Sequence, residues 1–187
     1  MSESECLATD WRTIGYEDGV AGYSGDHIGR YRKSCGKHGV TPDLTQYQTG
    51  RDQGLREFCK PANGFRVGAR GNSYSGVCPT ELDDDFASAY QSGRQLYTLR
   101  ARVVNANNEL ESMRQESNRI DADLVRIASE ILDTTITSEH RAQLLLDTKH
   151  LAERKGELKA SIPQLESDRE HYRRELEDYR AGLAYIE

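Results

Sequence analysis

From Leu82 onward, apolar or small side chains return every three or four residues: Leu82, Phe86, Ala89, Gly93, Leu96, Leu99, Val103, Ala106, Leu110, Met113, Ser117, Ile120, Leu124, Ile127 and Ile131. Sustained over about seven heptads, this spacing keeps one helix face against a partner and predicts a coiled-coil seam. Asp133-Thr-Thr-Ile-Thr137-Ser138 interrupts it with residues that favour turns, and Thr137 or Ser138 is placed to cap a second helix. The pattern then resumes at Leu144, Thr148, Leu151, Lys155, Leu158, Ile162, Leu165, Arg169, Tyr172, Leu176, Tyr179, Leu183 and Ile186. Each arm holds about 50 residues, or about 75 Å of helix. Equal arms around a short turn predict an antiparallel hairpin, in preference to the parallel dimer of extended chains that the same heptads permit.

With the bend near residue 135, Leu110 is expected to face the region of Ala160 and Tyr172 to lie near Leu99, while Tyr179 and Ile186 return to the Leu82–Tyr90 end. Two charged residues interrupt the seam. Lys155 is expected opposite Glu111 to Glu116, and Arg169 opposite Ala101, with its stem carrying the charge outward. Pro163 removes a backbone hydrogen bond and is expected to kink or break the second arm near Lys159 to Ser161. The first arm opens at Pro79-Thr80-Glu81-Leu82-Asp83, where Thr80 can cap and the acids Glu81 and Asp83 to Asp85 suit the positive helix end. As a calcium site, that acidic run lacks the spaced oxygen ligands and the closing bidentate glutamate.

Before residue 80 the pattern is different. Thirteen of the 16 glycines and all four cysteines fall there, and glycines four apart replace the aliphatic repeat. Trp11-Arg-Thr-Ile-Gly15-Tyr-Glu-Asp-Gly19-Val-Ala-Gly22 resembles Tyr47-Gln-Thr-Gly50-Arg-Asp-Gln-Gly54-Leu-Arg-Glu-Phe58-Cys59, and Gly64-Phe-Arg-Val-Gly68 echoes the spacing. Such faces let another backbone or an aromatic ring approach closely, offsetting the helix cost of each glycine, about 1 kcal/mol. Short helices are predicted over roughly 9–22, 26–37 and 43–59, with turns at Gly39–Asp43 and Lys60–Gly64. Gly68-Ala-Arg-Gly71 lacks the Gly-Lys-Ser/Thr ending and the preceding strand of a phosphate loop. The expected architecture is all-α: a small Gly-rich, disulfide-stapled helical head over 1–80 and a long antiparallel coiled-coil hairpin over 81–187, turning near 133–138.

Cys6, Cys35, Cys59 and Cys78 are an even set in a segment poor in large aliphatic residues, where covalent staples replace core. Proximity along the chain favours Cys6 with Cys35 and Cys59 with Cys78 among the three possible pairings. Zinc would need two closely spaced ligand pairs, and Cys35-Gly-Lys-His38 offers one. A catalytic thiol would need a histidine beside a particular cysteine, which the spacing of His27 and His38 does not provide. Disulfides imply an oxidising compartment, a Gram-negative periplasm or the extracellular space.

Charge adds one restriction. The net charge of −6 sits almost wholly after residue 80, and an acidic segment is repelled by nucleic acid and by anionic headgroups. The basic run Arg30, Arg32, Lys33, Lys37 reads as a solvated face. No window approaches the ~20 apolar residues of a membrane span, and the start Met-Ser-Glu-Ser-Glu-Cys has neither the basic nor the apolar region of a signal peptide.

The positions Trp11, Gly15, Asp18, Gly19, Gly22, Cys35, Pro42, Asp43, Tyr47, Gly50, Gly54, Leu55, Cys59, Gly64, Gly68, Gly71, Tyr74, Gly76, Val77, Cys78 and Pro79 together form an extended motif. Over about residues 6–97 this resembles an uncharacterised family of Gram-negative bacterial lipoproteins, a domain of unknown function (family 2799). The resemblance implies a signal peptide ending in a lipidated cysteine and an address at the periplasmic side of the outer membrane, but no reaction. Ser2 to Glu5 lack the small and apolar residues that a lipidation site at Cys6 requires, so a lipid anchor is expected to lie outside this chain.

The leading functional expectation is a non-enzymatic cell-envelope protein whose coiled coil engages or spaces a protein partner or self-associates, with no cofactor, no metal and no nucleic acid. The alternative is a small-molecule or glycan site in the head lined by Trp11, Tyr16, Tyr47, Phe58, Phe65 and Tyr74. The same aromatics are also the bulky residues from which a glycine-rich domain must build its core. No acid pair such as Glu17 and Asp18 can be placed in a cleft by spacing alone.

Overall fold

The computed structural model describes residues 1–184 and contains helices and turns, with no strand among the described residues. The chain divides into two compact units, Met1–Thr98 and Leu99–Glu187.

In the first unit, α1 (Glu3–Ala8) starts at a capping box in which Ser2 and Glu5 satisfy each other's backbone N–H groups. Asp10 caps α2 (Trp11–Val20) by accepting from the backbone N–H groups of Arg12 and Thr13. A 3₁₀ turn leads into α3 (Ile28–Cys35), and Asp43 caps α4 (Leu44–Phe58). The Lys60–Gly64 stretch, expected as a turn, instead opens α5 (Pro61–Ala69). Pro61 stands in the first turn, where its missing N–H has no helical partner to lose. The next helix, α6 (Thr80–Ile131), begins in this unit, and Thr80 is its first residue rather than its cap.

Backbone contact organises this unit. A β-carbon at Gly15 would fall on the Tyr47 carbonyl and one at Gly19 on that of Arg51; Gly50 and Gly54 meet the Arg12 and Tyr16 carbonyls in the same way. Helices α2 and α4 therefore cross backbone to backbone, which a methyl group on either face would prevent. The arrangement recurs between α5 and α6, where Gly64 and Gly68 meet the carbonyls of Phe86 and Tyr90, and Gly93 meets that of Phe65. Gly22 packs under the ring of Phe58 as Gly71 does under Tyr97, each at a positive φ. The repeat legible in the sequence is thus a repeat of helix pairs. Disulfides Cys6–Cys35 and Cys59–Cys78, the pairing favoured by proximity, staple the unit.

In the second unit, the remainder of α6 runs against α7 (Ser138–Ala184). Thr137 caps α7, its hydroxyl accepting from His140 N–H, and Arg141 reaches back to the carbonyls of Ile131 and Asp133 to close the turn. Ala106, Leu110, Ile120 and Ile127 of α6 and Leu144, Leu158 and Leu176 of α7 are buried, each a seam position. Across the seam Arg102 pairs with Glu175, Arg114 with Glu166, Glu116 with Arg154, Asp121 with Lys155 and Glu130 with His140.

Three expectations change. Opposed residue numbers in these pairs add to between 270 and 280, which moves the layer opposite Leu110 from Ala160, an exposed residue, toward Leu165. The same shift gives Lys155 to Asp121, leaves Glu116 to Arg154, and puts Arg169 nearer Ala106 than Ala101. Helix α7 is unbroken through Pro163. That residue lies on the exposed side, where water can take the carbonyl freed at Lys159. The expected return of Ile186 lies outside the described residues.

Candidate functional site

The most buried carboxylate of the head is Asp18, 5% exposed, three residues beyond Gly15 and on the same side of α2. It accepts from the hydroxyls of Tyr47 at 2.7 Å and Tyr31 at 3.1 Å, with His27 Nε2 4.0 Å away. His27 stacks on Tyr23 with ring centres 4.1 Å apart, and Trp11 meets Tyr31 edge-on at 5.9 Å. Burial and then the Asp18 charge push the Tyr31 hydroxyl up to about 12. Burial and the hydrogen bond to Asp18 push Tyr47 above the usual tyrosine range. Both phenols consequently stay protonated donors, tying α3 and α4 to one carboxylate of α2. This cluster anchors three helices through satisfied hydrogen bonds. The spacing Gly15-x-x-Asp18-Gly19, an acid set into a glycine face, was the signal for it in the sequence.

The six aromatics proposed as a binding set do not form one surface. Trp11 and Tyr47 belong to a core with Cys6, Ile28 and Cys35. Phe58 and Tyr74 pack around Leu55, Cys59 and Phe86, and the rings of Phe58 and Tyr74 lie 5.3 and 4.6 Å from Phe86. Tyr74 also donates to Asp83 and accepts from Cys78 N–H, and burial with the Asp83 bond pushes its hydroxyl up to about 12. Phe65 is half-buried and Tyr16 exposed.

A cleft of about 310 Å³ opens instead beside the second disulfide, lined by Arg51, Asp52, Leu55, Arg56, Val77, Cys78, Pro79 and Glu81. Arg51 Nε donates to the Tyr23 carbonyl at 2.9 Å, and Arg56 pairs with Glu81 at 3.5 Å. Its apolar floor with two guanidinium and two carboxylate groups at the rim is chemically suited to a small amphipathic molecule. None of the six aromatics lines it. Among the described residues no group of three His, Cys, Asp or Glu side chains is arranged to hold a metal ion.

The hairpin presents two unlike flanks. In heptad letters a to g, with Leu110 and Ile162 at a and Met113 and Leu165 at d, an antiparallel pair sets g beside g and e beside e. The pairs Arg102–Glu175, Glu116–Arg154 and Glu130–His140 lie along the g flank, and Arg114–Glu166 lies on the e flank. Between the Asp121–Lys155 pair and the turn, the e flank and the adjoining b positions carry Val125, Ala128 and Leu132 from α6 and Ala142, Leu145 and Ala152 from α7, all of them exposed. Val125 is 69%, Leu132 80% and Leu145 56% exposed. An amphipathic stripe confined to a two-helix seam would have polar residues there.

Residues 10–95 match the model of a family described as protein of unknown function (DUF2799). No curated protein and no solved structure matches the chain.

Proposed function

We propose that this chain, whose residues 10–95 match the model of the uncharacterised DUF2799 family, is a non-enzymatic cell-envelope protein that uses its helical hairpin to engage or space a partner protein. The observation that carries the reading is the hairpin itself. Its seam is filled and bracketed by ion pairs between the arms, yet long stretches of its outer surface present unlike chemistry on two sides. Two disulfides suit an oxidising compartment, which supports a periplasmic address. The resemblance to lipoproteins supports attachment to the outer membrane. The test is a photo-crosslinking residue placed singly at Arg126 or His150, on the charged side of the hairpin, in the full chain expressed in a Gram-negative envelope. Reproducible crosslinks to one protein other than this chain support the reading; crosslinks arising only from control positions in the head overturn it.

The second reading, a small-molecule or glycan site in the head, is favoured by the cleft at Cys78 rather than by the six aromatics. Amide shifts confined to Arg51, Leu55 and Val77 on addition of cell-wall fragments would support it.

A further inference from the structure

We infer that the e flank at the turn end of the hairpin seats a second copy of the same flank, the two hairpins lying antiparallel in a four-helix arrangement. This rests on the hairpin being an interaction device and names what one of its flanks holds.

The first argument is composition by position. A helix that meets one neighbour needs apolar residues at a and d; a helix in a bundle needs a wider stripe that takes in a flanking position. Toward the turn, the stripe widens on the e side, through the adjoining b positions Val125 and Leu132 on α6 and the e position Leu145 on α7. The g side of the same stretch keeps Glu116, Glu130, His140 and Arg154. A third or fourth helix is therefore accommodated on one side only.

The second argument is shape. Large residues on this flank sit beside small ones: Val125 and Leu132 lie either side of Ala128, and Leu145 and Lys149 lie between Ala142 and Ala152. An isologous interface requires that one surface carry both knobs and holes, and this flank does.

The third argument is charge. Asp133 and Glu139 stand at the turn, whereas Lys149 and Lys159 stand on α7 farther from it, all exposed. A two-fold axis across the flank lays the acidic turn of one copy over the lysines of the other. A parallel alignment would set acid on acid. Overlap from the turn to Lys159 is about 30 Å long and two helices, about 20 Å, wide. That covers roughly 600 Å² of each copy, which places the pair at the lower end of specific interfaces and makes it reversible.

Sedimentation of the full chain with its disulfides intact tests this. The expected result is a concentration-dependent dimer, with Val125→Glu and Leu145→Glu each raising the dissociation constant at least tenfold, while Arg126→Glu on the opposite side leaves it within twofold. Helical circular dichroism identifies any variant that fails to fold. As a second measurement that needs no destabilising change, a photo-crosslinker at Leu132 of the otherwise unaltered chain is expected to reach the Lys155–Lys159 region of another copy. A monomer at millimolar concentration, a dimer indifferent to both glutamates, or crosslinks from Leu132 to the turn of the other copy would overturn the inference. None of these results bears on whether Arg126 or His150 captures a different protein, so the two readings fail separately.

Discussion

Asp18 shows how one side chain can substitute for the aliphatic core this head lacks. Its carboxylate is shared by two phenols, and those phenols hold their protons past the usual value of 10. In an unfolded chain both tyrosines ionise near pH 10. As pH rises through 10, the unfolded state loses protons that the folded state keeps, so stability is complete below 10 and falls between about 10 and 12. Alkaline unfolding followed by the fluorescence of Trp11 is expected to begin in that window, and Tyr31→Phe is expected to flatten the pH dependence. Glycine supplies the other residue-scale device. Gly50→Ala puts a methyl group into the Arg12 carbonyl, so a loss of at least about 3 kcal/mol is expected, at the upper end of overpacking costs. Gly156→Ala, with nothing near its position, is expected to gain roughly 0.5–1 kcal/mol from helix propensity. Urea unfolding of both variants measures the contrast.

At the scale of elements, Arg169 is the misfit of the seam. Its Nε is buried without a hydrogen-bond partner, and its terminal nitrogen reaches only the neighbouring Glu170 across the helix surface at 2.9 Å. Arg169→Leu is expected to raise the melting temperature of the hairpin, worth about 1–2 kcal/mol for removing an unsatisfied polar group from an apolar layer; a lower melting temperature would refute the seam position assigned to it. Helices α6 and α7 and their turn were legible in the sequence because heptad period and capping are local properties. Their register was legible only to within about five residues, since equal arm lengths locate the bend but not the layer each side chain enters. Lys155 and Pro163 show why: one reaches Asp121 by the length of its stem, and the other is harmless because it faces water. Helix α5 is hard to see in the sequence because proline starts helices as well as forming turns. Helix α1 is marked only by the short Ser2-x-x-Glu5 box.

For the whole molecule, the two compact units rest on different forces. The first is held by disulfides closing loops of 29 and 19 residues and by backbone contact, the second by an apolar seam interrupted at Lys155 and Arg169. Each disulfide is expected to contribute roughly 3 kcal/mol to the first unit. Reduction should therefore lower the temperature at which Trp11 fluorescence changes by tens of degrees, while the larger part of the helical signal, which comes from α6 and α7, melts as before. Loss of both signals together would mean that the units do not unfold separately. The candidate site was less legible than the fold. Arg51 and Arg56 sit on successive turns of α4 with no motif around them, and the cleft they border is made by the Val77–Pro79 segment, which the Cys59–Cys78 bridge and the packing of Val77 on the Leu55 cluster bring near. The aromatic set failed as a single site for a related reason. The two glycine-crossed helix pairs each need their own rings, so the same residue type was divided between two interiors.

Where α2 crosses α4, main chain rests on main chain, and side chains cross it at Arg12–Gln53 and Asp18–Tyr47. The exposed Glu17 and Gln48 can therefore change without disturbing the crossing, whereas Gly15, Gly19, Gly50 and Gly54 cannot change one at a time. Descendants of such a head should diverge freely in the chemistry they show to solvent while keeping an inherited lattice of four missing methyl groups.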